Sequence, residues 1–441
     1  TMPLASWLRE VELHPALATD IEARFASVPQ QEPSVVADAV GRIEAGARQC
    51  VAPSARAHPF GSTVNGFGEA SSDLDVILSI DVDELRYYMS YYDWLRKEQR
   101  YSQLLRRRST GKQLWDAADV KLPKLVSVDE RGAIACAVQQ LTEVLPEYGF
   151  KVLRSLPRAR RPLVTLRDRT GELDECDVSI NNHLPLSNSD LLRSYSLLDK
   201  RARPLVLFTK AWAKGHRVCG ANEGNLSSYA WTIMAIYFLQ LVNVLPSLQM
   251  LAEEPKSVTD SDYWSYTREF DTSFLPAEEY LRRQQSKEAA PLAANSQWSL
   301  SDLVYGFFRF FGREYRWGSE VVSIRRPERR AADAWWRLYG KLHPEPGIHV
   351  EDPIELRDLN IVLRRDRLAQ LKAELGCAVD LLERGGGLEE LLATEERASP
   401  EDPAALTLPP RPPQVWKAPK RPRPFVQRRA ISEPGPLRRG Q

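Results

Sequence analysis

At 441 residues the chain is long enough for two globular domains with additions, and its 43% hydrophobic and 27% charged residues allow a sizeable core. A net charge of +1 excludes a uniformly basic surface but hides an asymmetry, because Ala398–Gln441 holds nine Lys/Arg against three Asp/Glu and leaves the rest acidic. Five scattered cysteines (Cys50, Cys136, Cys176, Cys219, Cys377) with no Cys-x-x-Cys pair argue against a structural zinc or a disulfide framework, and no apolar run reaches membrane-spanning length.

In chain order, Ser34–Gln49 has helical spacing (Val35, Val36, Ala39, Val40, Ile43) and leads into Pro53 and a loop. Phe60–Val64 and Asp75–Ile80 are strand-like. From Asp83 to about Val128 runs a helical segment in which Tyr87, Tyr88, Tyr91, Tyr92 and Trp94 precede Arg96, Lys97, Arg100 and Arg106–Arg108. Two readings stay open for it: aromatics packed on the main body, or a module that stacks RNA bases and holds phosphate. Leu141–Leu145 continues a helix that Gly149 ends, and strands are predicted over Lys151–Leu156, Pro162–Arg167 and Glu175–Ile180. Beyond Ser189 helices dominate: Asp190–Lys200, Pro204–Lys214, Ser227–Asn243, Ser299–Phe311 and Leu368–Leu382. Tyr229–Val244, the most apolar stretch, reads as a buried helix. The Pro-rich basic end is predicted to be extended or disordered. No repeat is apparent, and the first residues carry no recognisable targeting peptide. A mixed α/β sheet followed by a helical region makes the fold class α+β.

The chemistry concentrates at Phe60-Gly61-Ser62 and the following Ser72-Asp73-Leu74-Asp75-Val76-Ile77-Leu78. On a strand, Asp73 and Asp75 share a face. The Gly61-Ser62 turn offers backbone N–H groups and a hydroxyl to a phosphate. Asp177, in Glu175-Cys176-Asp177-Val178-Ser179-Ile180, has the pattern to lie beside them. Three carboxylates on adjacent strands can hold two Mg²⁺ or Mn²⁺ ions for in-line phosphoryl transfer. An Asp-x-Asp alone is more often a solvent-facing strand end.

These residues resemble the nucleotidyltransferase superfamily, and more closely the terminal uridylyltransferases and their template-independent poly(A) polymerase relatives. Asn181-Asn182, Asn188-Ser189-Asp190-Leu191-Leu192, Asp199, Arg203-Pro204-Leu205-Val206, Lys210-Ala211-Trp212-Ala213-Lys214, Leu226-Ser227-Ser228-Tyr229 and Glu351-Asp352-Pro353-Ile354-Glu355 follow in that family's order. The resemblance implies a bidomain enzyme, with a mixed α/β catalytic palm over 29–188 carrying an insertion at 84–128. A mainly helical base-recognition domain would comprise 1–28 and 189–396, followed by the basic tail over 397–441.

On this resemblance UTP would be held by Gly61, Ser62, Asn188, Lys210, Lys214, Ser228, Tyr229, Asp352 and Glu355. Lys210 and Lys214, four apart on one helix face, could clamp phosphate oxygens or simply form a solvated face. Ser228 suits a phosphate at a helix start or a plain cap; Asn188 suits a ribose 2′-hydroxyl or a cap. Tyr229 matches the aromatic that stacks on the base and could otherwise be core. Asp352 and Glu355 favour the N3–H of uracil. Asp358 stands where several uridine-adding relatives have a purine-blocking histidine. Arg158, Arg160 and Arg161 are candidates for RNA phosphates. The insertion and Asp358-Leu359-Asn360 look most like trypanosomatid mitochondrial editing enzymes, which implies an RNA 3′ end as acceptor, an editosome-like complex as partner and a mitochondrial setting, with no membrane. The alternatives are a poly(A) polymerase with the same chemistry and an inactive RNA-binding scaffold.

Overall fold

Alternating burial along two central strands decides which way the aspartates point. The computed structural model describes residues 11–97, 128–261, 267–286, 298–332 and 347–393. After α1 (Leu17–Ile21) and α2 (Pro33–Cys50), the chain forms β1 (Arg56–Phe60), β2 (Leu74–Ser79), α3 (Val82–Lys97), α4 (Glu130–Val144), β3 (Phe150–Leu156), β4 (Leu163–Asp168) and β5 (Cys176–Ile180). The five strands make one sheet in the order β1-β2-β5-β4-β3. β2 and β5 are parallel; the other neighbours are antiparallel. Leu74, Val76, Leu78, Cys176 and Val178 are fully buried in one cluster with Ala39, Ile43, Leu85, Met89, Ala137 and Leu141 of α2, α3 and α4. Asp75 and Asp177 are one residue out of phase with that set, so they project from the opposite face.

Behind the sheet, Arg42 of α2 makes two hydrogen bonds (3.2 and 2.9 Å) to the buried Asp168 carboxylate of β4. Burial alone would raise the Asp168 carboxyl, but bonds from Arg42 and Thr170 hold it below the usual range.

The predicted strands over Lys151–Leu156, Pro162–Arg167 and Glu175–Ile180 appear as β3, β4 and β5, and Gly149 (φ +88°) ends the helical turn before them. The predicted strand Phe60–Val64 is corrected. β1 stops at Phe60, and Gly61–Thr63 turns through a short 3-10 helix because Gly61 adopts φ +75°. For the aromatic segment the packing reading holds where it is described. Tyr92 is buried in the palm core, with Tyr88, Tyr91 and Trp94 packed against it, while Tyr87 is exposed. The basic side chains from Arg96 to Arg108 lie outside the described residues, as does the Pro-rich segment.

The helical part contains α5 (Leu184–Leu198), α6 (Ala202–Gly215), α7 (Ser228–Leu241), α8 (Ala277–Gln285), α9 (Leu300–Arg309), α10 (Arg365–Glu383) and α11 (Leu388–Leu392). α7 is buried on all sides from Ala230 to Gln240, as its unbroken apolar run implied. Edge-to-face contacts of Trp212 with Trp231 and Phe308 knit α6, α7 and α9, and Leu17, Ile21 and Phe25 join the same core. Among the described residues no helix is long and apolar enough to cross a membrane.

Two features escaped the sequence. A polar hairpin, β6 (Ser257–Ser261) and β7 (Thr267–Asp271), buries Phe270 against Leu184 and Ile354. Its Asp260 accepts hydrogen bonds from the His183 and Leu184 N–H groups (2.6 and 3.1 Å) at the start of α5. Three short strands, β8 (Glu320–Val322), β9 (Arg330–Ala331) and β10 (His349–Val350), are too brief for any periodicity to show.

Candidate active site

Asp73 stands one residue before β2, and Asp75 is its second residue. Asp75 and Asp177 are direct partners in the parallel register, on backbones about 4.8 Å apart. On the other side Phe60 pairs with Asp75. That brings Gly61 so close that a Cβ there would lie 2.3 Å from Asp75 Oδ2. Burial, then Asp177 and Asp73, push the Asp75 carboxyl up to about 7. Burial, Glu175 and Asp177 raise Asp73 as well, against the opposing pull of Lys214.

Asp177 Oδ1 is buried and meets no hydrogen-bond partner among the described residues. An orphaned carboxylate oxygen beside two strained acids fits divalent cations. Among the described residues no three His, Cys, Asp or Glu side chains form a metal cage by themselves. The three predicted ligands are therefore brought together on the sheet but not into closed coordination. Mg²⁺ suits such a set, since it takes one or two carboxylates and completes its sphere with waters and substrate phosphates.

The loop from Gly61 to Gly68 is held by the helical part. Gly61 N–H donates to Ser189 Oγ at 2.8 Å, and Arg193 donates to the Val64 carbonyl at 3.2 Å. Arg203 donates to the carbonyls of Gly66 (3.0 Å) and Gly68 (2.8 Å), and also to those of Phe25 and Val28. Lys210 Nζ donates to the Phe67 carbonyl at 2.8 Å. The Gly61 N–H, expected on phosphate, is engaged by Ser189 within the chain.

Lys210 and Lys214 share a face of α6 in unlike surroundings: Lys210 is buried and Lys214 is exposed. Burial, and then the neighbouring Lys214, bring the Lys210 ammonium down to about 8. A bound triphosphate would favour its charged form again.

On the far side of α5 a second cluster assembles. Asn188 lies within α5 and is no cap; its Oδ1 accepts the Tyr229 hydroxyl at 3.0 Å. The cap of α7 is Ser227, whose Oγ accepts the Ala230 N–H, which leaves Ser228 as the first helical residue. Tyr229 is part-buried against the helical core. Burial raises its hydroxyl well above the usual value, with Asp352 and Glu355 adding and Arg357 opposing. The structure thus gathers Asn188, Tyr229, Asp352 and Glu355 as predicted.

The acids are not bare acceptors, however. Asp352, 1% exposed, takes the Ile354 and Glu355 N–H groups on Oδ1 (3.0 and 2.8 Å), and its Oδ2 lies 3.8 Å from Arg357. Glu355 Oε2 accepts from Arg357 Nε at 3.1 Å, and its Oε1 lies 3.8 Å from Arg161. Arg161, a candidate for RNA phosphate, approaches Glu355 from the turn after β3. Arg158 is exposed and Arg160 part-buried in the same turn. Asp358 is committed to the fold: it meets His349 Nδ1 at 2.8 Å and accepts the Val350 and Asn360 N–H groups.

Adjacent residues of α5 join the clusters, Asn188 touching Tyr229 and Ser189 holding Gly61. Ser189, Arg203 and Arg357 are site residues that sequence reasoning missed. Ser189 and Arg203 sat inside quoted motifs without a role, and the spacing of a loop arginine says nothing of where it points.

The chain matches two family models: "Poly(A) RNA polymerase, mitochondrial-like, central palm domain" over residues 20–197, and "Cid1 family poly A polymerase" over residues 299–357. It is 28% identical over 280 residues to the human Poly(A) RNA polymerase GLD2, covering 63% of this chain and 46% of that one. It is 31% identical over 222 residues to Poly(A) RNA polymerase GLD2-A of Xenopus laevis, covering 49% and 39%. The chain thus spans about half the length of the curated relatives it matches. Its fold is similar to Cid1 in complex with its short product ApU (TM-score 0.60, 21% identity, 87% and 99% of the two chains). It is also similar to a cytoplasmic RNA terminal U-transferase (TM-score 0.60, 22% identity, 86% and 96%). The palm match precedes the polymerase-associated match along the chain, and the fold over most of its length is similar to that of Cid1.

Proposed function

We propose that the chain is a template-independent RNA uridylyltransferase, which joins the α-phosphate of UTP to an RNA 3′-hydroxyl and releases pyrophosphate. The observation that carries this is the continuity through α5. The Asp75–Asp177 pair, the Gly61 turn at Ser189, and the Asn188–Tyr229 platform beside Asp352 and Glu355 form one connected surface. When bound by Asp73, Asp75 and Asp177, two Mg²⁺ or Mn²⁺ ions would neutralise the triphosphate and lower the pKa of the attacking hydroxyl. Lys210, Lys214, Ser62 and Ser228 would hold phosphate oxygens, Tyr229 would stack on the base, and Asn188 would donate its amide to the ribose or base.

Against an inactive scaffold stands the cost of keeping three acids together, one of them with a buried oxygen, Asp177 Oδ1, that makes no hydrogen bond among the described residues. A poly(A) polymerase is the second reading. It is favoured by Asp358, which turns inward to His349 and so cannot block a purine, and by the names of the matched relatives. Extension of a labelled RNA primer with each NTP separately tests both. Addition of UMP in preference supports the proposal, preference for ATP establishes the second reading, and no addition with any NTP returns the scaffold. The editosome-like partner and the mitochondrial setting belong to the same proposal on sequence resemblance alone. Co-purification with an editing complex from mitochondria would test them.

A further inference from the structure

We infer that Arg357 is a specificity-determining residue that reads the 4-position of the pyrimidine, an inference that rests on the uridylyl reading above. Uracil presents an acceptor at O4, a donor at N3–H and an acceptor at O2. Cytosine has a donor at position 4 and an acceptor at N3, and adenine likewise sets an amine beside an acceptor. Carboxylates alone accept from any of these amines. Asp352 and Glu355 favour uracil at N3–H but do not by themselves read the 4-position, where cytosine and adenine carry an amine that a carboxylate also accepts.

The structure puts a guanidinium among them. Arg357 Nε donates to Glu355 Oε2 (3.1 Å), Nη2 lies 3.8 Å from Asp352 Oδ2, and the charge of Arg357 is felt at the Tyr229 hydroxyl. The backbone fixes this arrangement. Asp352 N–H donates to the Arg357 carbonyl (2.8 Å), Leu356 N–H donates to the Asp352 carbonyl (3.0 Å), and Leu356 itself sits at φ +57°. A bulky residue held in the left-handed region marks a loop whose shape is imposed by its surroundings. At the other end of the platform the Tyr229 hydroxyl occupies Asn188 Oδ1, which leaves the Asn188 amide to act as donor. Arg357, the acid pair and Asn188 then form a donor–acceptor–donor edge. That edge complements uracil and opposes cytosine and adenine at position 4 and its neighbour.

The test compares wild-type full chain with Arg357→Met on an RNA primer, measuring kcat/KM for UTP, CTP, ATP and 4-thio-UTP, whose sulfur accepts weakly while N3–H is retained. Wild type should favour UTP over CTP and over 4-thio-UTP. In Arg357→Met the UTP-to-CTP ratio should fall by about tenfold or more, mainly through KM, and the preference over 4-thio-UTP should vanish. A folded, active variant with unchanged ratios overturns the inference while leaving the uridylyl reading intact. Wild type that prefers ATP overturns the uridylyl reading, and the inference with it. Should Arg357→Met not fold, the wild-type ratio of UTP to 4-thio-UTP decides: equal use of the two overturns the assignment.

Discussion

Replacing Gly61 with alanine isolates the contact between the phosphate turn and the central carboxylate. At φ +75° an L-residue costs about 1–2 kcal/mol of backbone energy. The larger effect is local: the new Cβ would lie 2.3 Å from Asp75 Oδ2, whereas ordinary contact begins near 3.4 Å. Turn or carboxylate must therefore shift by about 1 Å, and displacements of that size cost about 100-fold where reacting groups are held in place. Gly171→Ala is the matched control, because Gly171 sits at φ +80° with nothing within 4 Å of its notional Cβ. Both variants should lose thermal stability, Gly61→Ala at least as much as Gly171→Ala, and only Gly61→Ala should lose rate. The assay is single-turnover addition of one nucleotide to a 5′-labelled RNA at saturating UTP and Mg²⁺, normalised to folded protein. A Gly61→Ala rate within about threefold of wild type would refute the reasoning, as would equal slowing of Gly171→Ala.

Asp177→Asn should fold at least as stably as wild type, because it removes a charge that raises Asp75, yet lose roughly three orders of magnitude or more in rate; melting curves beside primer extension check both halves. With the Lys210 ammonium brought down to about 8, free protein at pH 9 should carry it mostly neutral, and triphosphate binding should take up close to one proton. Below pH 7 the amine is already charged, so its uptake should disappear; calorimetry in two buffers of different ionisation enthalpy reads it, and an equal proton uptake at pH 9 in Lys210→Met would sink the assignment. Arg42→Met strands the buried Asp168 carboxylate and should cost about 3 kcal/mol of stability with the rate per folded molecule unchanged. Since Asp168 is held below its usual pKa, the stabilisation it lends wild type is present at neutral pH and lost as pH falls through the acid range, so urea midpoints of wild type and variant should converge there.

By itself the sequence determined the alternation of Leu74, Val76 and Leu78 with Asp75, and of Cys176 and Val178 with Asp177. A period of two that buries one face forces the acids onto the other. It also determined that α7 is buried all round, since no face of that run is polar. Motif order pointed to Asn188, Lys210, Tyr229, Asp352 and Glu355 because local spacing and residue type survive in the linear string. Tertiary structure alone decided what each of them touches. Gly61 could be seen to allow a turn, but not that Ser189, 128 residues on, would occupy its N–H. Lys210 and Lys214 look alike in sequence, yet one is buried on the Phe67 carbonyl and the other is exposed. Asp352 and Glu355 read as free acceptors until Arg357 and Arg161 were found beside them. Periodicity reports which face of an element meets the core. Partners brought together by loops and long-range packing leave no period to read, so their hydrogen bonds and ion pairs exist only in the folded chain.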